Sequence, residues 1–171
     1  MMNAAQRREA LLQILQQSKE PVRAGTLAAQ LGVSRQVIVG DIALLRAAGA
    51  DIYASPRGYL PATAPQGLLF TVATVHDSAG IGEELYAMVE EGCQVLDVIV
   101  EHPIYGQITA PLQLRNHSDV DHFVKSLESK EAPPLSSLTN GIHLHTLCCP
   151  DEKTLQRVRE RLRKLHFLLE S

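Results

Sequence analysis

The sequence predicts an α+β fold in two parts: an N-terminal winged helix-turn-helix joined to a C-terminal β-α-β-β-α-β-α sandwich with an antiparallel sheet. Three observations carry this. Apolar residues recur at helical spacing as far as Ala48 and then give way to a short β-hairpin. A Pro/Gly-punctuated joint follows, with Pro61, Pro65 and Gly67 close together. Beyond it, strand-like alternation and helix-like stripes succeed one another to the end of the chain. The predicted parts are a first domain over 1–62, a linker over 63–67 and a second domain over 68–171.

A chain of 171 residues allows one medium domain or two small ones, and 45% hydrophobic content supports real cores. With 4% aromatic residues and no Trp, packing is aliphatic. No apolar run approaches the roughly 18 residues that a membrane helix needs, so no membrane partner is expected. The N-terminus lacks the basic-then-apolar layout of a secretory signal. Three cysteines, two of them adjacent, do not make a disulfide framework and point to a reduced, cytoplasmic compartment. The net charge of −3 hides an asymmetry. Residues 1–64 carry seven Arg/Lys against four Asp/Glu (+3), and residues 65–171 carry nine against fifteen (−6). The first part is suited to a polyanion and the second is not.

In the first part, Ala4, Leu11, Leu12, Ile14 and Leu15 predict a helix over 4–17, which Pro21 stops. Leu27 and Leu31 lie four apart in a short helix over 26–31. Gly32 follows, and Ser34 caps a third helix reaching about Ala48, with Ile38, Ile42 and Leu45 as its buried stripe and Gly49 closing it. A helix, a turn with Gly and a second helix place that last helix in the major groove of DNA. Its groove-facing candidates are Ser34, Arg35, Gln36, Val39, Ala43 and Arg46. Arg35 and Gln36 carry the donors and acceptors that read base edges, and Ser34 can bond a phosphate. Gly40 costs about 1 kcal/mol against Ala in a helix interior and permits close backbone approach. Residues 51–60 read as a wing whose tip carries Arg57, a candidate for the phosphate backbone or minor groove. The competing reading is a three-helix piece used for protein contacts or dimerisation.

In the second part, strands are predicted at 68–75, 94–101, 107–115 and 142–148. Helices are predicted at 81–91, 120–129 (capped by Ser118 or Asp119) and from Asp151 to about Leu169. In such a sandwich the first and last strands lie adjacent and antiparallel. That brings His76 beside His143 and His145, which share one face of their strand because they are two apart. All seven histidines lie at or after position 76. Glu83 and Glu84 open the next helix, within reach of the three imidazoles. Three His and a carboxylate suit one divalent transition metal per chain, zinc, nickel, iron or manganese, rather than calcium or magnesium. His117, His122 and His166 read as surface residues, and Cys148 and Cys149 as structural residues on opposite faces of one strand. His102 and Tyr105, at the turn between the second and third strands of this part, are polar-tipped residues able to hold a small planar ligand.

The winged helix followed by His76, by His102-Pro103-Ile104-Tyr105-Gly106 and by His143-Leu144-His145 resembles the niacin-responsive repressors of NAD biosynthesis, whose C-terminal part is the three-histidine domain. The resemblance runs from about Arg7 to Leu169. It implies a homodimer on double-stranded operator DNA, not an enzyme, with nicotinic acid as co-repressor. It also implies a nickel or zinc ion held by His76, Glu84, His143 and His145, with Glu84 chosen over Glu83 because the family's Glu follows the first His by eight positions. His102 and Tyr105 match the family's hairpin motif. Two other readings stand beside this one: a repressor for which the metal ion itself is the signal, and a metal-dependent hydrolase tethered to DNA.

Overall fold

The computed structural model describes residues 2–62, 64–129 and 132–170. The chain divides into two compact units, Met1–Ala64 and Pro65–Ser171. Of the predicted linker 63–67, Thr63 lies outside the described residues.

The first unit begins with α1 (Ala4–Gln17), held at its start by a capping box between Asn3 and Gln6. Helix α2 (Ala24–Leu31) starts two residues before the predicted Thr26 and ends at Gly32, whose φ of 66° is left-handed. Helix α3 (Arg35–Ala47) is capped by the Ser34 side chain, which accepts from the Val37 N–H. Leu11, Leu15, Leu27, Ile38, Ile42 and Ile52 form the buried core of this unit. Among them lies Asp41, 4% exposed. A carboxylate so buried needs partners, and Arg7 supplies two N–H donors at 2.6 and 3.3 Å, tying α1 to α3. Strands β1 (Ile52–Ser55) and β2 (Gly58–Pro61) form an antiparallel hairpin. It is anchored by paired bonds between Val22 and Tyr59, Val22 N–H to Tyr59 O and Tyr59 N–H to Val22 O.

In the second unit the order is β3 (Leu68–Val75), α4 (Ile81–Glu90), β4 (Gln94–His102), β5 (Gly106–Leu114), α5 (His117–Ser129), β6 (Ile142–Cys149) and α6 (Glu152–Lys164). Single 3-10 turns at Ser78–Gly80 and Leu135–Thr139 lead into α4 and β6. The sheet runs β3-β6-β4-β5 with every neighbouring pair antiparallel. The first and last strands are therefore adjacent, as the sandwich requires. Leu85 and Met88 of α4, Val120 of α5 and Leu155, Val158 and Leu162 of α6 pack on Val72, Val95, Leu114 and Leu147 of the sheet. No single helix among the described residues is long and apolar enough to cross a membrane.

Three details depart from the sequence expectations. Helix α5 starts at His117 rather than Val120, because Asn116 caps it: its side-chain oxygen accepts from the Asp119 N–H at 3.0 Å, while the Asp119 carboxylate accepts from the Arg115 N–H at 2.9 Å. Helix α6 stops at Lys164 rather than near Leu169. His166 takes a left-handed φ of 59°, and the last residues run back along β3, with Val75 N–H bonding Phe167 O and Leu169 N–H bonding Ala73 O. The free edge of β3 offers unpaired backbone groups, and pairing them outweighs continuing the helix. Cys93 and Cys149, expected to be unpaired, are joined as a disulfide across Cα atoms 4.5 Å apart. The turn after α4 brings them together although 56 residues separate them in sequence. Cys148 is the free cysteine and is buried.

Candidate metal centre and nucleic-acid interface

The antiparallel register of β3 and β6 pairs Val72 with His145 and Thr74 with His143, and it sets His76 opposite Gly141, whose carbonyl accepts the His76 N–H. Strand alternation then points His143, His145, Val72, Thr74 and His76 to the helix side of the sheet. Helical phase does the same for Glu84, which is 1% exposed, whereas Glu83 faces outward. His76, His143 and His145 are 9%, 3% and 3% exposed. Four titratable side chains thus meet in a dry place.

Each imidazole is aimed by its Nδ1. His76 Nδ1 donates to Asp77 O at 2.6 Å, His143 Nδ1 to Gly141 O at 2.8 Å and His145 Nδ1 to Asp97 O at 2.7 Å. A carbonyl oxygen only accepts, so each Nδ1 carries a proton and each Nε2 is left to face the centre. There the three Nε2 atoms converge on one oxygen, Glu84 Oε2, at 2.7, 3.0 and 3.3 Å from His76, His143 and His145. The other oxygen, Glu84 Oε1, is buried with no hydrogen-bond partner among the described residues. Donor atoms of His76, Glu84 and His143 lie within 4.8 Å of one another, and His145 approaches the same carboxylate at the longest of the three distances.

The charges are coupled. Burial alone would push the Glu84 carboxyl up, but the three imidazoles outweigh it and hold it well below the ordinary carboxylate range. Burial would likewise lower His76 and His145, yet the Glu84 charge and hydrogen bonds raise both. Neutral Nε2 lone pairs would oppose the Glu84 anion, so the cluster needs protons or a cation at its centre. Three neutral-capable nitrogens, one carboxylate and an orphaned carboxylate oxygen form a donor set that fits a divalent transition ion.

Two glycines and a phenylalanine shape the rim, and none was anticipated. A Cβ on Gly80 would come within 2.9 Å of the His76 ring and of Phe167 Cζ. A Cβ on Gly141, at φ 89°, would collide with the His76 carbonyl. The returning tail sets the Phe167 ring against His76 with centroids 4.7 Å apart. A sequence signal existed only for Gly141, which directly precedes β6.

The remaining candidates fall elsewhere. His102 closes the β4–β5 turn, its Nδ1 accepting from the Ile104 and Tyr105 N–H groups at 3.2 and 3.3 Å, and its ring lies 5.0 Å from that of Tyr105. These contacts are local to the hairpin, and Tyr105 is 77% exposed. His117, His122 and His166 are exposed. On α3, Ser34, Arg35, Gln36, Ala43 and Arg46 are exposed and Val39 is partly so. The outward face carries Gln36 and, below it, Gly40, Ala43 and Ala47, which are small enough for close approach, and it is flanked by exposed Val37 and Leu44, which were not anticipated. Arg46 donates from Nε to Ile52 O at 2.8 Å, so it holds the wing onto α3. Arg57 at the hairpin turn is in an ion pair with Glu20 at 3.1 Å.

A helix-turn-helix unit with a wing, followed by a histidine-lined sandwich, defines a class of two-part DNA-binding regulators. Residues 7–60 match the family described as HTH domain, and residues 70–171 match the family described as 3H domain. A probable transcription repressor NiaR of Thermotoga maritima is 44% identical over 165 residues, covering 96% of this chain and 94% of that protein. A transcription repressor NadR of Bacillus subtilis is 41% identical over 169 residues, with the same coverage. The chain belongs to this family of 3H-domain transcription repressors.

Proposed function

We propose that the protein represses genes of NAD biosynthesis or niacin uptake in the cytoplasm, with nicotinic acid as co-repressor and a divalent transition metal in the second unit. The observation that carries the metal part is the convergence of three imidazole Nε2 atoms on a buried carboxylate whose other oxygen has no partner. His76, Glu84, His143 and His145 would hold the ion, nickel or zinc before iron or manganese. The ion supplies a Lewis-acid centre for an anionic oxygen ligand. The carbonyls of Asp77, Gly141 and Asp97 keep the three rings aimed. Arg35 and Gln36 read base edges while Ser34 meets phosphate. Two copies, with recognition helices about one helical turn apart, read a two-fold symmetric operator. Nicotinic acid tightens DNA binding only as far as it prefers the DNA-competent state. His102 and Tyr105, whose contacts are confined to their hairpin, would form a secondary contact for the effector.

A second reading has its own support. Burial of all four candidate ligands favours the ion itself as the signal. Fluorescence anisotropy on DNA from upstream of the protein's own operon separates the two. Tightening by nicotinic acid but not nicotinamide, abolished by a chelator, supports the co-repressor reading. Indifference to both niacin compounds with a response to metal would remove niacin and keep a metal-dependent repressor.

A further inference from the structure

The inward face of β3 reads Phe70, Val72, Thr74, His76, and one member does not fit a packing role. Val72 is the register partner of His145, and Thr74 holds the equivalent place beside His143. Both are buried, at 2% and 0% exposure, and Val and Thr are nearly the same size. Packing therefore explains a valine at both positions and leaves the Thr74 hydroxyl unexplained. Among the described residues its hydrogen-bond partners are His143 Nε2 at 3.2 Å and His143 O at 3.5 Å. The Nε2 lone pair is the one the centre needs, because Nδ1 of the same ring is committed to Gly141 O. A nitrogen that binds a cation cannot accept from Thr74, and among the described residues the buried hydroxyl is then left with only a 3.5 Å contact to a carbonyl. Buried donors find better partners than that.

The geometry points to Thr74 as a positioning residue of the centre, its hydroxyl donating to the oxygen ligand that fills the coordination position left by Glu84 and the three imidazoles. This rests on the metal reading and says which side of the centre faces an exchangeable ligand. Chemically, that ligand is water, hydroxide or a carboxylate oxygen. In the metal-free protein the same hydroxyl lies 3.2 Å from His143 Nε2, so Thr74 faces the centre in both states.

The test uses the full-length protein loaded with Co(II), whose visible spectrum reports the ion's surroundings, in wild-type, Thr74→Val and Thr74→Ser forms. Formate, the smallest carboxylate, and nicotinate are titrated against each, and Co(II) affinity is measured by chelator competition. Thr74→Val keeps Co(II) affinity to within about threefold but binds formate about tenfold or more weakly, the size of one hydrogen bond to a charged group. Thr74→Ser, which keeps the hydroxyl, restores formate binding. Equal formate affinity in wild type and Thr74→Val would overturn the proposal, as would loss of Co(II) itself from Thr74→Val or a wild-type spectrum indifferent to formate. Should Thr74→Val fail to fold, Thr74→Ala takes its place with the same readings. Failure of wild type to take up Co(II) sinks the metal reading as well. Binding of formate without nicotinate sinks only the niacin assignment.

Discussion

Glu84 shows how one side chain can set the behaviour of a whole site. Its carboxyl is held below its usual value, so the stability it contributes is present above the ordinary carboxylate value of 4.5 and is lost as pH falls through the lower folded value. His76 and His145 are raised above 6.5, so their contribution is present below 6.5 and is lost as pH rises through the folded values. Metal-free protein should therefore melt highest between those limits. Metal needs unprotonated imidazoles, so the rise in Tm on adding zinc or nickel should grow from pH 5.5 to pH 8. Thermal melts with chelator and with metal across that range check both signs, and a metal effect that shrinks with pH would contradict the ligand set. Glu84→Gln keeps the shape of the side chain but removes its charge. Metal affinity should fall by at least about 100-fold, beyond the 10–100-fold typical of residues that only orient ligands, as read by chelator competition.

Among the elements, the tail after α6 is the least expected and the most informative. It covers the edge of β3 and presses Phe167 on His76. Phe167→Ala should cost about 2 kcal/mol, below the 3–5 kcal/mol of a fully buried ring because Phe167 is only partly buried. It should also loosen metal while leaving the first unit untouched, which urea unfolding together with metal titration would reveal. In the first unit, Asp41 binds α3 to α1 through Arg7. Asp41→Ala leaves Arg7 without its anchor and should destabilise that unit by about 1–3 kcal/mol. Specific DNA affinity should fall with it in an anisotropy assay, because the recognition helix loses its fixed setting.

For the molecule as a whole, the two compact units allow their functions to be separated. His143→Ala with His145→Ala should abolish metal binding and any nicotinic acid response. The first unit should remain folded and keep its salt-dependent, sequence-independent DNA affinity, since seven Arg/Lys against four Asp/Glu lie in residues 1–64. Loss of all DNA binding in that double variant would mean that the second unit supports the first rather than signalling to it. Sedimentation should give a dimer on DNA carrying two half-sites a helical turn apart.

Local pattern was enough to read much of this protein from its sequence. Helical periodicity located α1 and α3, the Ser34 cap and the Ile38/Ile42 stripe, because those features depend on residues three or four apart. Alternation located β3 and β6 and set His143 beside His145. The order of the elements brought His76 to them once the sandwich topology was assumed. Tertiary structure decided what depends on distant partners. It buried Glu84 while leaving Glu83 exposed, aimed each imidazole through a backbone carbonyl, and joined Cys93 to Cys149. It turned 167–169 from predicted helix into a strand-like cover for β3, and it assigned Arg46 and Arg57 to partners within the first unit. Periodicity records which face of an element is apolar. Which backbone edge lies open, and which buried charge needs an answering group, is settled only when elements far apart in sequence are packed together.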